Sequence, residues 1–205
     1  MSTRDRILYE ALTLFSENGY DGTSVEEIAD KVGIKAPSLY NHFKGKEDIL
    51  NALIDMAEAR YEESFGSDRR IGKLPESREE FIQIAMQRVS FTMNDPMIRK
   101  MRKFLVREQF RNERFAEITT KHQLDELQVM YEMIISEMMN KGLFKKDYPG
   151  LLAIELTAPV VLWISKADRQ PQYAREIAES IERHVRHFCD EYMIDKIGEK
   201  KDAEN

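Results

Sequence analysis

The chain has 205 residues, enough for one large domain or a small one joined to a larger one, and 33% of them are charged. A net charge of -6 and a pI near 5.4 exclude a protein that coats nucleic acid indiscriminately, so any contact with phosphates must come from a localised basic surface. Cys189 is the only cysteine, which excludes an intrachain disulfide and fits a reducing compartment.

The N-terminal run MSTRDRILYEALTLF interleaves charges with apolar residues, unlike a signal peptide, so the expected location is cytoplasmic. No stretch alternates apolar and polar residues as a half-buried strand does, and the fold class predicted is all-α, with about nine helices. The first helix carries Ile7, Leu8, Ala11, Leu12 and Phe15 on one face, and Asn18-Gly19 supplies a left-handed stop. Thr23 and Ser24 each have a glutamate three residues later, which predicts two overlapping capping boxes for a second helix. Ile28, Ala29 and Val32 form its apolar face and Gly33 ends it. A third, short helix is expected from Ala36 to His42, with Pro37 in its first turn and Leu39 and Phe43 inward. After Lys44-Gly45-Lys46 a longer helix starts with Glu47 and Asp48 at its positive end and runs to about Phe65-Gly66.

Ser67 to Glu76 has little to bury and is expected to be a mobile connection. Ser77 and Glu80 form a capping box ahead of Phe81, Ile82, Ala85 and Val89, and Asn94-Asp95-Pro96 breaks that helix and starts the next. Met97, Ile98, Met101, Phe104 and Leu105 repeat at helical spacing up to a second break near Arg111 to Glu113. A long pattern from Phe115 to Met138 stops at Lys141-Gly142. Leu151 to Ile164 is apolar nearly all round, but it falls short of the roughly 20 residues of a spanning helix and contains Glu155 and Pro159, so no membrane partner is expected. It reads as a buried helix covered on both sides. The last helix, from about Gln172 to Tyr192, carries the stripe Ile177, Ile181, Val185, Phe188 and Tyr192, and residues 196–205 form a frayed tail.

Between Asp30 and Glu47 there is no acid, while Lys31, Lys35, Lys44, Lys46 and His42 all fall there. Helix, glycine-containing turn and short second helix is the arrangement that places a recognition helix in a major groove. Ser38, Asn41 and His42 point outward as short polar groups for base edges or phosphates, and Tyr40 can set its ring against sugars. Lys35 occupies the cap position without an acceptor side chain, and Lys46 stands at the next helix start, where charge and dipole act together on a phosphate. His184, His187 and Cys189 do not share one helix face, so no metal is assigned. Without a phosphate-cradling glycine loop, HExxH or nucleophile elbow, neither an enzyme nor a cofactor is expected.

These residues resemble the N-terminal domain of TetR-family transcriptional regulators. The resemblance runs through F-x-x-x-G-Y at Phe15 to Tyr20, T-S-V-x-x-I-A at Thr23 to Ala29, V-G-I at Val32 to Ile34 and S-L-Y-N-H-F-K-G-K-E-D-I-L at Ser38 to Leu50. It covers the first quarter to third of the chain. It implies a helix-turn-helix DNA-binding domain at 1–48, with the motif at about 24–43, and a helical ligand-binding and dimerisation domain at 49–195. It further implies that Ser24, Lys35, Ala36, Ser38, Tyr40, Asn41, His42 and Lys46 face double-stranded DNA. Many family members have a small polar residue at the Lys35 position and Gly at the Pro37 position, so the operator read here can differ. The resemblance also implies a homodimer built on the last two helices, a palindromic operator, and repression relieved by a small-molecule effector. Met86, Phe104, Phe110, Met130, Tyr131 and Trp163 are the candidate pocket residues and suggest an apolar or aromatic effector, with Arg107 and Glu108 able to orient a polar group. An effector-independent, architectural DNA-binding dimer is the alternative.

Overall fold

The computed structural model describes residues 1–65 and 74–194. Ten α-helical segments account for most of them: α1 Thr3–Asn18, α2 Val25–Val32, α3 Ala36–Tyr40, α4 Lys46–Phe65, α5 Arg78–Asn94, α6 Pro96–Glu108, α7 Glu113–Thr120, α8 Glu126–Asn140, α9 Pro149–Arg169 and α10 Ala174–Tyr192. A π-helical turn, Lys121–Asp125, lies between α7 and α8, so the long pattern from Phe115 to Met138 holds two α-helices and a widened turn. Among the described residues the only extended pairing is one antiparallel bridge, Phe144 with Met193. The expected connection at 67–76 falls largely outside the described residues, and the tail at 196–205 wholly so.

The caps explain where the helices begin. Ser2 and Asp5 bond reciprocally at the start of α1, and Ser24 and Glu27 do the same for α2. Of the two overlapping boxes expected there, only this second one forms. Thr23 is fully buried and its hydroxyl donates to the Gly19 carbonyl at 2.9 Å, because it lies on the inner side of the turn. Ser77 caps α5 through the Glu80 amide, while the Glu80 carboxylate accepts from the amide of Glu76, one residue earlier than a reciprocal box requires. α3 ends at Tyr40, two residues before the expected His42, and α10 begins at Ala174 after a tight 3-10 turn at Pro171–Tyr173.

By compactness the chain divides into two units, Met1–Ser67 with Asn94–His122, and Asp68–Met93 with Gln123–Asn205. In the first, Ile7, Leu8, Leu12 and Phe15 of α1 meet Ile28 and Leu39 of the helix-turn-helix, Ile49 and Leu53 of α4, and Met101, Phe104, Leu105 and Phe115 of α6 and α7. The stacked rings of Phe15 and Phe104 (5.5 Å) and the edge-on Phe104–Phe115 pair (5.4 Å) bring α6 and α7 into the core of the helix-turn-helix unit. Polar ties repeat the arrangement: Arg60 of α4 bonds Asp95 at the start of α6, and Arg114 of α7 bonds Glu47 of α4.

The second unit closes on Phe81, Ile82, Ile135, Met138, Phe144, Leu156, Ile181 and Phe188. By length and composition alone α9 could cross a membrane, but it packs against α8 and α10, and Leu152, Ala153, Leu156 and Val160 are buried in this core. His184 of α10 bonds the Leu156 carbonyl at 3.0 Å, and Cys189 lies wholly buried.

Candidate nucleic-acid interface

α3 is too short to be stable alone and is held by its neighbours. Gly33, at φ 78° and ψ 34°, closes α2 in the left-handed conformation and turns the chain towards α3. The guanidinium of Arg6 donates to the Val32 carbonyl and so satisfies the end of α2 from α1. Leu39 and Phe43 are buried, and the Arg4 guanidinium lies over the Phe43 ring at 5.0 Å. With that anchor set, Lys35, Ser38, Tyr40, Asn41, His42 and Lys44 are all exposed, and Ala36 is half-buried. Lys35 makes no side-chain cap bond, but Pro37 has no N–H and the Ser38 amide donates to the Lys35 carbonyl at 2.8 Å, so of the first amides of α3 at most that of Ala36 stays open to an anion, fewer than its sequence led one to expect.

Two expected contacts are already engaged within the protein. Lys46 directs its ammonium to the Tyr20 carbonyl at 2.8 Å and over the Tyr20 ring at 4.7 Å. The Ser24 hydroxyl accepts from the Glu27 amide at 3.1 Å, and bonds from the Ser24 amide and hydroxyl hold the Glu27 carboxyl below its usual range. Arg4 was not among the sequence candidates. Its signal was present, since a cation in the first turn of a helix opposes the dipole and calls for another partner.

The candidate pocket residues are divided between the two units. Met130 and Tyr131 are buried in the second unit's core, with Met86 and Trp163 packed partly buried against it. Burial pushes the Tyr131 hydroxyl up to about 12. Phe104 instead belongs to the first unit's core, and Phe110 is 90% exposed, because α6 stops at Glu108 and the corner before α7 turns that ring outward. Arg107 caps the last carbonyls of α1, donating to Glu17 at 2.8 Å, and Glu108 is buried beside it.

Residues 7–53 match the sequence model of bacterial regulatory proteins, tetR family. The biofilm operon icaADBC HTH-type negative transcriptional regulator IcaR of Staphylococcus epidermidis is 31% identical over 125 residues, covering 47% of this chain and 68% of that protein. The chain belongs to the TetR family. IcaR of Staphylococcus aureus is 54% identical over 51 residues, which are 25% of this chain and 27% of that protein. For fold alone, SmeT in complex with triclosan superposes with a TM-score of 0.77 at 17% identity, covering 97% of this chain and 95% of that one. A transcriptional regulator from Aquifex aeolicus gives 0.71 at 17% identity, covering 91% and 99%. As a TetR-family member the protein is a DNA-binding regulator of transcription, with α2 and α3 as its helix-turn-helix.

Proposed function

We propose that this TetR-family protein is a cytoplasmic, dimeric repressor that binds a palindromic operator through α3 and is released by a small apolar or aromatic effector. The observation that carries the reading is the exposed, acid-free face of α3 fixed by the buried Leu39 and Phe43. On it Ser38, Asn41 and His42 read base edges, while Lys35, Tyr40 and Lys46, with Ser24 and the backbone at Ala36, hold phosphates. Lys46 reaches a phosphate by leaving the Tyr20 carbonyl or by sharing its remaining donors. A functional division at residue 48 remains part of this reading, with α6 and α7 serving as structural support for the DNA-binding helices.

The dimer is supported by the uncovered apolar residues Leu151, Ile154 and Leu162 on α9, with Leu162 65% exposed. Two recognition helices in one dimer then engage half-sites about one helical turn apart. Met86, Met130, Tyr131 and Trp163 remain the effector candidates, each belonging to the second unit's core or packed against it. The name of the S. epidermidis relative, a negative regulator, supports repression. Footprinting on selected genomic fragments tests the assignment. Asn41→Ala relaxes sequence preference, and Lys46→Ala weakens binding to all DNA and lowers the salt slope by about one. Unchanged footprints in both variants refute it. A ligand library that never shifts the melting temperature removes the effector part.

A further inference from the structure

Glu108 is the least expected buried group in the first unit. The residue is 2% exposed, and its Oε1 has no hydrogen-bond donor. Two cations form ion pairs with it at distances too long for a hydrogen bond, Arg107 Nε at 3.7 Å and Arg111 Nη1 at 3.9 Å. Burying a carboxylate so poorly satisfied costs more than an apolar side chain would there, so its position calls for a reason other than stability.

That position is directly over Gly19. A Cβ added to Gly19 would lie 2.9 Å from Glu108 Oε1, so the carboxylate fills the space that a side chain would take. Gly19 opens the turn that delivers the chain to α2. The Gly19 carbonyl accepts from Thr23, the next carbonyl, of Tyr20, accepts from Lys46, and Ser24 then caps α2. Gly22 completes the tightness of this turn, since a Cβ there would lie 2.5 Å from the Asn18 carbonyl oxygen. One face of the turn is thus covered by Glu108, and the Lys46 ammonium is bonded to its Tyr20 carbonyl.

We infer that Glu108 is a positioning residue for DNA binding: its carboxylate presses the Gly19–Thr23 turn into the conformation that places Ser24 and Lys46 for phosphate contact. The inference rests on the proposed phosphate roles of those two residues. It gives α6 a route to the DNA-binding face through the α1–α2 turn, separate from the ties between α4 and α6.

The test measures binding of the full-length protein to a mixed-sequence DNA duplex as a function of salt. Glu108→Ala withdraws the carboxylate, Glu108→Asp shortens it while keeping the charge, and Glu108→Gln keeps its shape. Charge alone would make Glu108→Ala bind a polyanion more tightly. The expected result is the reverse, a fall of about three- to tenfold with a salt slope smaller by about one, from the Ala variant and less so from Asp. Glu108→Gln stays within about twofold of wild type. Combined with Lys46→Ala, Glu108→Ala adds less than its loss in the wild-type background, because one of the two contacts it positions is already gone. A folded Glu108→Ala protein with unchanged or raised affinity overturns the inference, as does a loss that multiplies with that of Lys46→Ala. If Glu108→Ala does not fold, the Asp variant carries the same comparison. Should Lys46→Ala alone leave the salt slope unchanged, the phosphate assignment fails and the inference falls with it. A normal Glu108→Ala protein beside an impaired Lys46→Ala protein overturns only the relay.

Discussion

Asp95 joins two helices through one carboxylate, and removing it separates the contributions. Its Oδ1 accepts from the amides of Met97 and Ile98 at 3.0 Å each, the N-cap of α6, and its Oδ2 accepts from Arg60 Nε at 3.0 Å and from the Arg60 Nη2. Asp95→Ala loses both sets, while Asp95→Asn keeps a good cap and loses the charge opposite Arg60. The cap contributes about 1 kcal/mol. A charged hydrogen bond adds about 1.5–3 kcal/mol, which must be reduced to about 1 because the Arg60 side chain is 44% exposed and solvent screens the pair. Asp95→Ala therefore costs about 2 kcal/mol and Asp95→Asn about 1 kcal/mol, or roughly 4–8 and 2–4 °C in melting temperature for a chain of this size. Burial alone would raise the Asp95 carboxyl, but the Arg60 bond and the two helix amides outweigh it and hold the group below its ordinary 3.8. A carboxyl lowered on folding stabilises above its unfolded value and loses that contribution as pH falls through the folded one. The gap between wild type and Asp95→Asn should then be full at pH 7 and shrink below about pH 4. Thermal unfolding followed by circular dichroism at both pH values reads all of this. The reasoning fails if Asp95→Ala lies within about 0.5 kcal/mol of wild type, or if the Asn gap does not change with pH.

Two glycines with positive φ should respond differently to alanine. Gly33, at φ 78° and ψ 34° with nothing within 4 Å, should lose only about 1 kcal/mol in chemical denaturation, whereas Gly19, at φ 84° and ψ 167°, should lose more because that backbone region excludes side chains and the new Cβ also meets Glu108 Oε1. Equal losses would show that neither the backbone of Gly19 nor the Glu108 carboxylate restricts that position. Burial pushes the Cys189 thiol up to about 12, so thiol reagents at pH 8 should label the native protein only at the rate of its opening, and fast labelling would contradict the buried placement. Leu162→Glu places a charge on the uncovered stripe of α9 and should shift sedimentation velocity from dimer to monomer, with melting of the second unit little affected. A dimer unaffected by this change would place the interface elsewhere.

Nearly every helix was legible from local rules. Ser24–Glu27 and Asp95-Pro96 mark helix starts because capping acts within three residues, and Gly33 and Gly142 mark stops because only a residue without Cβ takes positive φ cheaply, whereas Gly19 ends α1 at φ 84° and ψ 167°, outside the left-handed conformation expected of it. The polar face of α3 was legible for the same reason: once Leu39 and Phe43 turn inward, helical geometry places Ser38, Asn41 and His42 outside.

What the sequence by itself determined, then, was most of the helices and the acid-free stretch proposed to read DNA. Only the tertiary structure decided which stripe meets which. An apolar stripe drives burial without specifying its partner, so Phe104 could equally have lined a pocket, and it is the Phe15 and Phe115 rings around it that assign it to the helix-turn-helix unit. Polar groups were ambiguous in the same way. Thr23 turned to the Gly19 carbonyl instead of capping, Lys46 turned to the Tyr20 carbonyl, and Glu108 left the surface to lie over Gly19, each because of a neighbour distant in sequence or hidden in the turn. Local periodicity reaches about one helical turn, whereas these choices depend on packing between segments tens of residues apart.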